Sequence, residues 1–224
     1  MAIEADLHIH TNYSDGKYSP AEMIEAACKA KLDVLAITDH NTVSGVAQLE
    51  PERVRDAYGI CLITGFELSL ISGHYLVLGV TPHLVPDILE KYNVVERTYA
   101  EALNERQTKD ILQNFIDLGG VIIAAHPCLL TSMSTRAETL IALHQQNLIH
   151  GAEDHNYEIE RYIGLFYKLW HYYVKGILNK HGIPSFGNSD AHYIQHVGQR
   201  RNIFENTRPS DLLDHLRRPT SGLF

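Results

Sequence analysis

The chain is poor in the features that mark several protein classes. Its three cysteines, Cys28, Cys61 and Cys128, are odd in number, far apart and in no Cys-x-x-Cys spacing, which excludes a disulfide framework and a thiolate zinc site. No run of about 18 apolar residues occurs, so no membrane-spanning helix is expected. The start, Met1-Ala2-Ile3-Glu4-Ala5-Asp6, lacks the basic-then-apolar order of a signal peptide, and the expectation is a cytoplasmic protein. Long Ser/Gly/Pro tracts, like-charge runs and internal repeats are missing too, which argues against disorder and against a linker. The 224 residues, 45% of them hydrophobic, are therefore read as a single domain over 1–224. Clustered Lys and Arg are also missing. With a formal net charge of −8, no extended nucleic-acid surface is expected, although a small anionic substrate remains compatible.

What the chain does have is histidine, 14 in all, on an alternating α/β pattern. Strands are expected near 3–9, 33–38, 60–68, 74–80, 121–125, 149–154 and 184–189. Ser19-Pro20-Ala21-Glu22 has the order of a helix start, with Ser as cap and Pro at the first position. Helical stretches are expected from Pro86 to Leu118, stopped by Gly119-Gly120, and from Ile159 to His181, ended by Gly182-Ile183-Pro184. Too few residues separate Glu67 from His74 for a parallel crossover, so an antiparallel hairpin is expected there. A two-residue turn at Leu70-Ile71 would set Glu67 directly opposite His74.

Five of these strand ends run into residues that bind metals. Asp6-Leu7-His8-Ile9-His10 places His8 and His10 on one strand face, with Asp15 returning from the next loop. Taken alone, that pair could equally lie on a solvated edge. Ala36-Ile37-Thr38-Asp39-His40 delivers an acid and an imidazole, although Asp39 could equally be a helix cap or a turn residue. The hairpin supplies Glu67 and His74, and Ala124-Ala125-His126 ends another apolar strand; a lone histidine there is more often structural. Asn188-Ser189-Asp190-Ala191-His192 repeats the i,i+2 relation of His8 and His10. Convergence of five such ends on one chemistry is the signal. The remaining eight histidines are read as structural, with His155 set apart as a possible neighbour of the site because it follows the sixth strand.

These five motifs, in this order from residue 6 to residue 192, resemble the polymerase-and-histidinol-phosphatase (PHP) superfamily. The resemblance implies an α/β fold, a distorted (β/α)7 barrel with a trinuclear metal site at the carboxyl ends of its strands. Carried over, one ion takes His8, His10, Glu67 and Asp190, a second shares Glu67 and adds His74 and His126, and a third takes Asp15, His40 and His192. The expected cofactors are three divalent cations, of zinc, manganese or iron type. The expected activity is hydrolysis of a phosphate ester, a small phosphorylated metabolite or nucleotide. A water held between two ions loses its proton near neutral pH and becomes the nucleophile.

Asp39 and His192 are the candidates for protonating the leaving group, and Asp6 and Asp39 are candidate acceptors that orient imidazoles. Arg200, Arg201 and Arg106 are the candidate substrate contacts, with Lys109 and Arg136 behind them. Two other readings stay open. An amidohydrolase-like barrel cutting C–N or C–O bonds would want a bridging lysine, and no lysine stands at the strand ends named here. A metal-stabilised binding module without catalysis is the other.

Overall fold

The computed structural model describes residues 2–96, 103–130 and 134–218. Eight strands occur among them: β1 (Ala2–Asp6), β2 (Val34–Ile37), β3 (Cys61–Leu70), β4 (Gly73–Leu78), β5 (Val121–Ala125), β6 (Gly151–Asn156), β7 (Ser185–Asn188) and β8 (Asn202–Glu205). The helices between them are α1 (Pro20–Lys29), α2 (Ser44–Ala47), α3 (Pro51–Tyr58), α4 (Val85–Lys91), α5 (Glu105–Asp117), α6 (Ala137–Gln145), α7 (Tyr157–Ile163), α8 (Tyr167–His181) and α9 (Leu212–Leu216). The strands pair in the order β7-β6-β5-β4-β3-β2-β1-β8. β4 and β8 run antiparallel to their neighbours and the other pairings are parallel.

The sheet curls into a nearly closed barrel. At one end of the seam, Asn202 of β8 accepts from Gly187 N–H at 2.9 Å and donates to Asn188 Oδ1 at 2.8 Å. At the other, the chain leaving β1 meets the chain leaving β7 in a parallel bridge between Ile9 and Ala191. Period-two alternation separates two apolar layers. Ile3, Ala5, Val34, Ala36, Ile63, Leu76, Leu78, Val121 and Ile123 fill the interior toward α9. Their neighbours Leu35, Ile37, Leu62, Phe66, Leu68, Val77 and Ile122 face the surrounding helices. Glu67 and His74 fall on the interior parity, stacked above Ile63 and Leu76, so an apolar floor leads up to a polar chamber.

Several boundaries differ from expectation for local reasons. The hairpin turns at Ile71-Ser72, because Leu70 pairs with Gly73. Glu67 therefore lies across from Leu76, and Ser69 across from His74. Glu67 and His74 still share a face as diagonal neighbours, within reach of long side chains. The stretch expected to be helical from Pro86 to Leu118 is divided: α4 gives way at Asn93, which has φ 55°, and Asn104 starts α5 with a capping box to Gln107. Part of that stretch lies outside the described residues. Gly164, at φ 53°, likewise splits the expected helix over Ile159–His181 into α7 and α8. The start of α1 matches its signals, with Ser19 and Glu22 forming a capping box and Pro20 at the first position. β8 had no counterpart among the expected strands.

Candidate metal centre

The nine side chains expected at the site converge on the chamber. Among the described residues, four overlapping groups each place one ligand-type atom per residue within 4.8 Å of the others: His8, His10 and Asp190; His8, Glu67 and His126; His40, Glu67 and His74; and His10, Asp15, His40 and His192. β4 runs opposite to its neighbours, so its first residues, with His74, stand at the same end as the carboxyl ends that deliver the rest. His126 and Asp190 adopt left-handed backbone, at φ 28° and 55°. For non-glycine residues that conformation is uncommon and aims a side chain differently from a continuing strand.

One quartet has a specific shape. His8 Nε2 lies 3.1 Å from His10 Nε2, 3.5 Å from Glu67 Oε2 and 3.4 Å from Asp190 Oδ1. His10 Nε2 in turn lies 3.4 Å from Glu67 Oε2 and 3.1 Å from Asp190 Oδ1. A tetrahedral ion with bonds of about 2.0–2.1 Å has ligand-to-ligand edges of about 3.3–3.4 Å. The other oxygen of Glu67 faces a second set, 3.0 Å from His74 Nδ1 and 3.3 Å from His126 Nε2. A third set forms around Asp15, whose Oδ2 is 3.0 Å from His192 Nε2 and whose Oδ1 is 3.7 Å from His40 Nε2.

Protein groups alone do not satisfy this chamber. Glu67 Oε2, His74 Nε2, His126 Nδ1 and Asp190 Oδ1 are buried without a hydrogen-bond partner. Buried polar atoms are otherwise nearly always paired, and a buried charge needs compensation. The residues present thus fit divalent cations. Protons, as the only other cations available, are drawn in their place. Burial opposes the imidazolium of His40, yet Glu67 and Asp15 push its pKa up to about 10. Burial likewise opposes charge on His192, but Asp15 and Asp190 raise it to about 9. Burial works to raise Glu67, and the imidazoles of His40, His74 and His8 outweigh it, holding the carboxyl well below the usual range. For His10, burial and then the neighbouring His40 and His192 dominate, and its pKa is lowered.

The supporting residues differ from those expected. Asp6 accepts from the backbone N–H groups of Ser189 at 3.1 Å and Gly198 at 2.8 Å, and no imidazole ring. Burial raises its pKa to about 6 despite those bonds. Asp39 accepts from Thr11 N–H at 2.7 Å, Thr11 Oγ1 at 2.6 Å and Ser14 Oγ at 2.6 Å. It anchors the loop that carries Asp15 and is committed to that role, not to an imidazole or a leaving group. The carboxylate that does grip a ligand is Glu153, which sequence reasoning missed: His8 Nδ1 donates to its Oε1 at 2.9 Å. The only signal for it was an acid near the end of the sixth strand. His155 points away from the chamber, with its Nδ1 3.0 Å from the Tyr167 hydroxyl and its ring 3.9 Å from that of His171.

The nominated arginines do not line the centre. Arg201 donates to Glu4, to the Ala30 carbonyl and to the Gly198 carbonyl, tying β1 to α1 and the seam. Arg200 pairs with Glu160 at 2.6 Å. Arg106 is 91% exposed on α5 beside Asp110. What opens onto the centre is a cavity of about 260 Å³ bordered by Asp15, Lys17, Tyr162, His192 and Tyr193. A larger cleft lies elsewhere, lined by Cys128, Arg136, Trp170 and Tyr173 and by none of the nine residues. No helix among the described residues is long and apolar enough to cross a membrane.

Comparison with known proteins agrees with this architecture. The PHP domain model matches residues 6–158, more than half of the chain, and the PHP-associated model matches residues 171–220. The 5′-3′ exoribonuclease Rnm of Escherichia coli is 30% identical over 137 residues, covering 56% of this chain and 47% of that protein. A 3′,5′-nucleoside bisphosphate phosphatase of Chromobacterium violaceum is 36% identical over 81 residues, covering 34% of this chain and 28% of the phosphatase. The chain thus spans about half the length of the first relative and less of the second. Two solved structures share the fold. A C. violaceum protein named as an amidohydrolase, with bound sulfate and no metal, superposes with a TM-score of 0.67 at 19% identity over 97% of this chain and 98% of that one. A Bifidobacterium adolescentis protein named as a metal-dependent phosphoesterase gives 0.64 at 18% identity over 95% and 94%. By its five motifs, its barrel and the matched domain model, the chain belongs to the PHP domain family.

Proposed function

We propose that this chain hydrolyses phosphate esters of a small phosphorylated metabolite or nucleotide, at a centre of three divalent cations held by His8, His10, Asp15, His40, Glu67, His74, His126, Asp190 and His192. The observation that carries the reading is the quartet of His8 Nε2, His10 Nε2, Glu67 Oε2 and Asp190 Oδ1, spaced 3.1–3.5 Å over the measured pairs, with two of its oxygens buried and unpartnered. When bound, such ions supply charge to the phosphoryl oxygens and acidify water toward neutral pH. The relatives favour nucleotide material, since one is named an exoribonuclease and the other a nucleoside bisphosphate phosphatase. The structural neighbour named as an amidohydrolase shares the fold at an identity too low to carry its chemistry.

The chain's own groups divide the work. Glu67 presents one oxygen to each of two histidine sets, which fixes those sets relative to each other. Asp39 holds the loop that positions Asp15. Lys17 borders the mouth and would meet an incoming phosphate as a point charge. His192 Nδ1 donates to the Asp190 carbonyl at 2.8 Å, so with Nε2 used as a ligand its one remaining proton is tied to that carbonyl. Its ligand role and the expected acid role exclude each other, and leaving-group protonation falls to water in the open mouth.

The test is to strip the protein with chelator, reload it with zinc, manganese or iron, and measure release from nucleoside mono- and bisphosphates, 5′-phosphorylated RNA, sugar phosphates and a phosphodiester. Metal-dependent hydrolysis, abolished in Asp190→Ala, is the expected result. A metal-loaded protein inactive on every ester would overturn the proposal.

A further inference from the structure

We infer that Glu153 is the positioning residue of the inner metal quartet, setting two of its four corners and a third ligand beside it. The inference rests on the metal centre proposed above. Glu153 is fully buried and accepts four hydrogen bonds: on Oε1 from His8 Nδ1 at 2.9 Å and Asn188 Nδ2 at 2.9 Å, and on Oε2 from His126 N–H at 2.9 Å and Asn156 Nδ2 at 3.0 Å. A carboxylate so saturated has little capacity left to be a ligand itself, and its effect passes through its neighbours.

Three of those bonds act on different ligands. By accepting a hydrogen bond from His8 Nδ1–H, Glu153 favours the tautomer whose lone pair is on Nε2, the atom in the quartet. The bond from His126 N–H braces a backbone at φ 28°. Asn156 Nδ2 also donates to Asp190 Oδ2 at 3.2 Å, which leaves Oδ1 as the quartet corner. The register between β6 and β7 shifts between Glu153 and His155. That irregularity lets Glu153 and Asn156 both reach the chamber while His155 turns outward, as bulges near functional sites commonly do. None of the four bonds to Glu153 comes from Asp15, His40 or His192, so it reaches the outer set only indirectly, through Asp190, whose carbonyl accepts from His192 Nδ1.

That asymmetry is what a general structural role would not produce. Removing a partner that orients a ligand typically weakens metal binding about 10–100-fold. The experiment is zinc titration by calorimetry on chelator-stripped wild type, Asp15→Ala, Glu153→Gln and the double variant. In the Asp15→Ala background, which retains the inner sets, Glu153→Gln is expected to weaken zinc binding about 10–100-fold. The Asp15-dependent component should stay within about twofold of wild type. Long-range ¹H–¹⁵N spectra of the zinc-loaded protein should show a slowly exchanging His8 Nδ1–H proton in wild type and lose that protection in Glu153→Gln. If circular dichroism shows Glu153→Gln unfolded, Asn156→Ala, which removes the donor shared by Glu153 and Asp190 together with the α7 cap on Ile159 N–H, is judged by the same affinity criterion. Unchanged inner affinity in a folded variant, or equal loss at all sets, overturns the role of Glu153. Wild type that takes up no zinc overturns the proposed centre itself.

Discussion

Glu67→Gln removes one buried negative charge while keeping shape, and the structure sets the scale of the response. Glu67 lies 2.9 Å from His40 Nδ1, 3.0 Å from His74 Nδ1 and 3.3–3.5 Å from His126, His10 and His8. At 3 Å and an effective dielectric of about 20, each imidazolium it faces interacts by about 5 kcal/mol before the desolvation cost is subtracted. Breaking a buried pair by removing one partner costs a net of about 3–5 kcal/mol. For a chain of this size, each kcal/mol moves the melting temperature by about 2–4 °C, so calorimetry in excess chelator should show Glu67→Gln melting about 6–20 °C below wild type. Both oxygens belong to ligand sets, so the rise in melting temperature on adding zinc, which grows by about 1.4 kcal/mol per decade of ligand over Kd, should also shrink. A variant within 2 °C of wild type in chelator, with the same zinc-induced rise, would refute the reasoning.

Three shorter predictions follow from the same geometry. In chelator, stability conferred by His40 and His192, whose folded pKa values of about 10 and 9 exceed the ordinary 6.5, should be complete below pH 6.5 and be lost as pH rises through 9 to 10, read as melting temperature against pH. Asp39→Ala should lower kcat by loosening the Asp15 loop while leaving the shape of the pH–rate profile unchanged; loss of one limb of that profile would instead make Asp39 a proton donor. Gly73→Ala should destabilise by about 1–3 kcal/mol in denaturant titration, because φ is 142° and a Cβ would stand 2.0 Å from Thr135 Oγ1.

The chamber was legible in the sequence because its ligands sit where a strand pattern ends, and the end of a strand can be read from a run of apolar residues. Ala36-Ile37 before His40 and Ile122–Ala125 before His126 are buried on both faces, and such runs announce the point at which a polar side chain must be there for a reason. The hairpin came through with its register off by one residue per strand, since turn position depends on local backbone that Leu70, Ile71 and Ser72 do not specify. Glu153 was hidden for a different reason. Glu153, Asp154 and His155 are consecutive polar residues, and only the register irregularity against β7 decides which of them enters the chamber. β8 is four residues long and its inward contact is an asparagine side chain, too little pattern for periodicity to detect. The arginines failed as substrate contacts because charge without a fold gives no direction. Arg201 is spent on Glu4 and two carbonyls on the barrel wall.

Closure of the barrel and assembly of the centre are one event. Ile9 bridges Ala191, with His10 N–H donating to the Ala191 carbonyl at 2.9 Å and Ala191 N–H to the His8 carbonyl at 3.3 Å. The residues flanking that bridge are His8 and His10 on one side and Asp190 and His192 on the other. Four of the nine proposed ligands therefore alternate along the seam, and their spacing is as stiff as the backbone pairing between them. The two matched family models divide here, since residues 6–158 carry seven of the nine and residues 171–220 carry Asp190 and His192. A fragment ending at residue 170 would keep the PHP domain match but lose β7, β8, most of α8 and the bridge, exposing Ile123 and Leu78 from the interior layer that Phe186, Leu212 and Leu216 help to fill. Such a fragment is expected to show no cooperative melting transition and no tight zinc binding, measured by calorimetry and equilibrium dialysis. Cooperative unfolding with zinc uptake equal to the whole chain would mean that the centre forms without the seam.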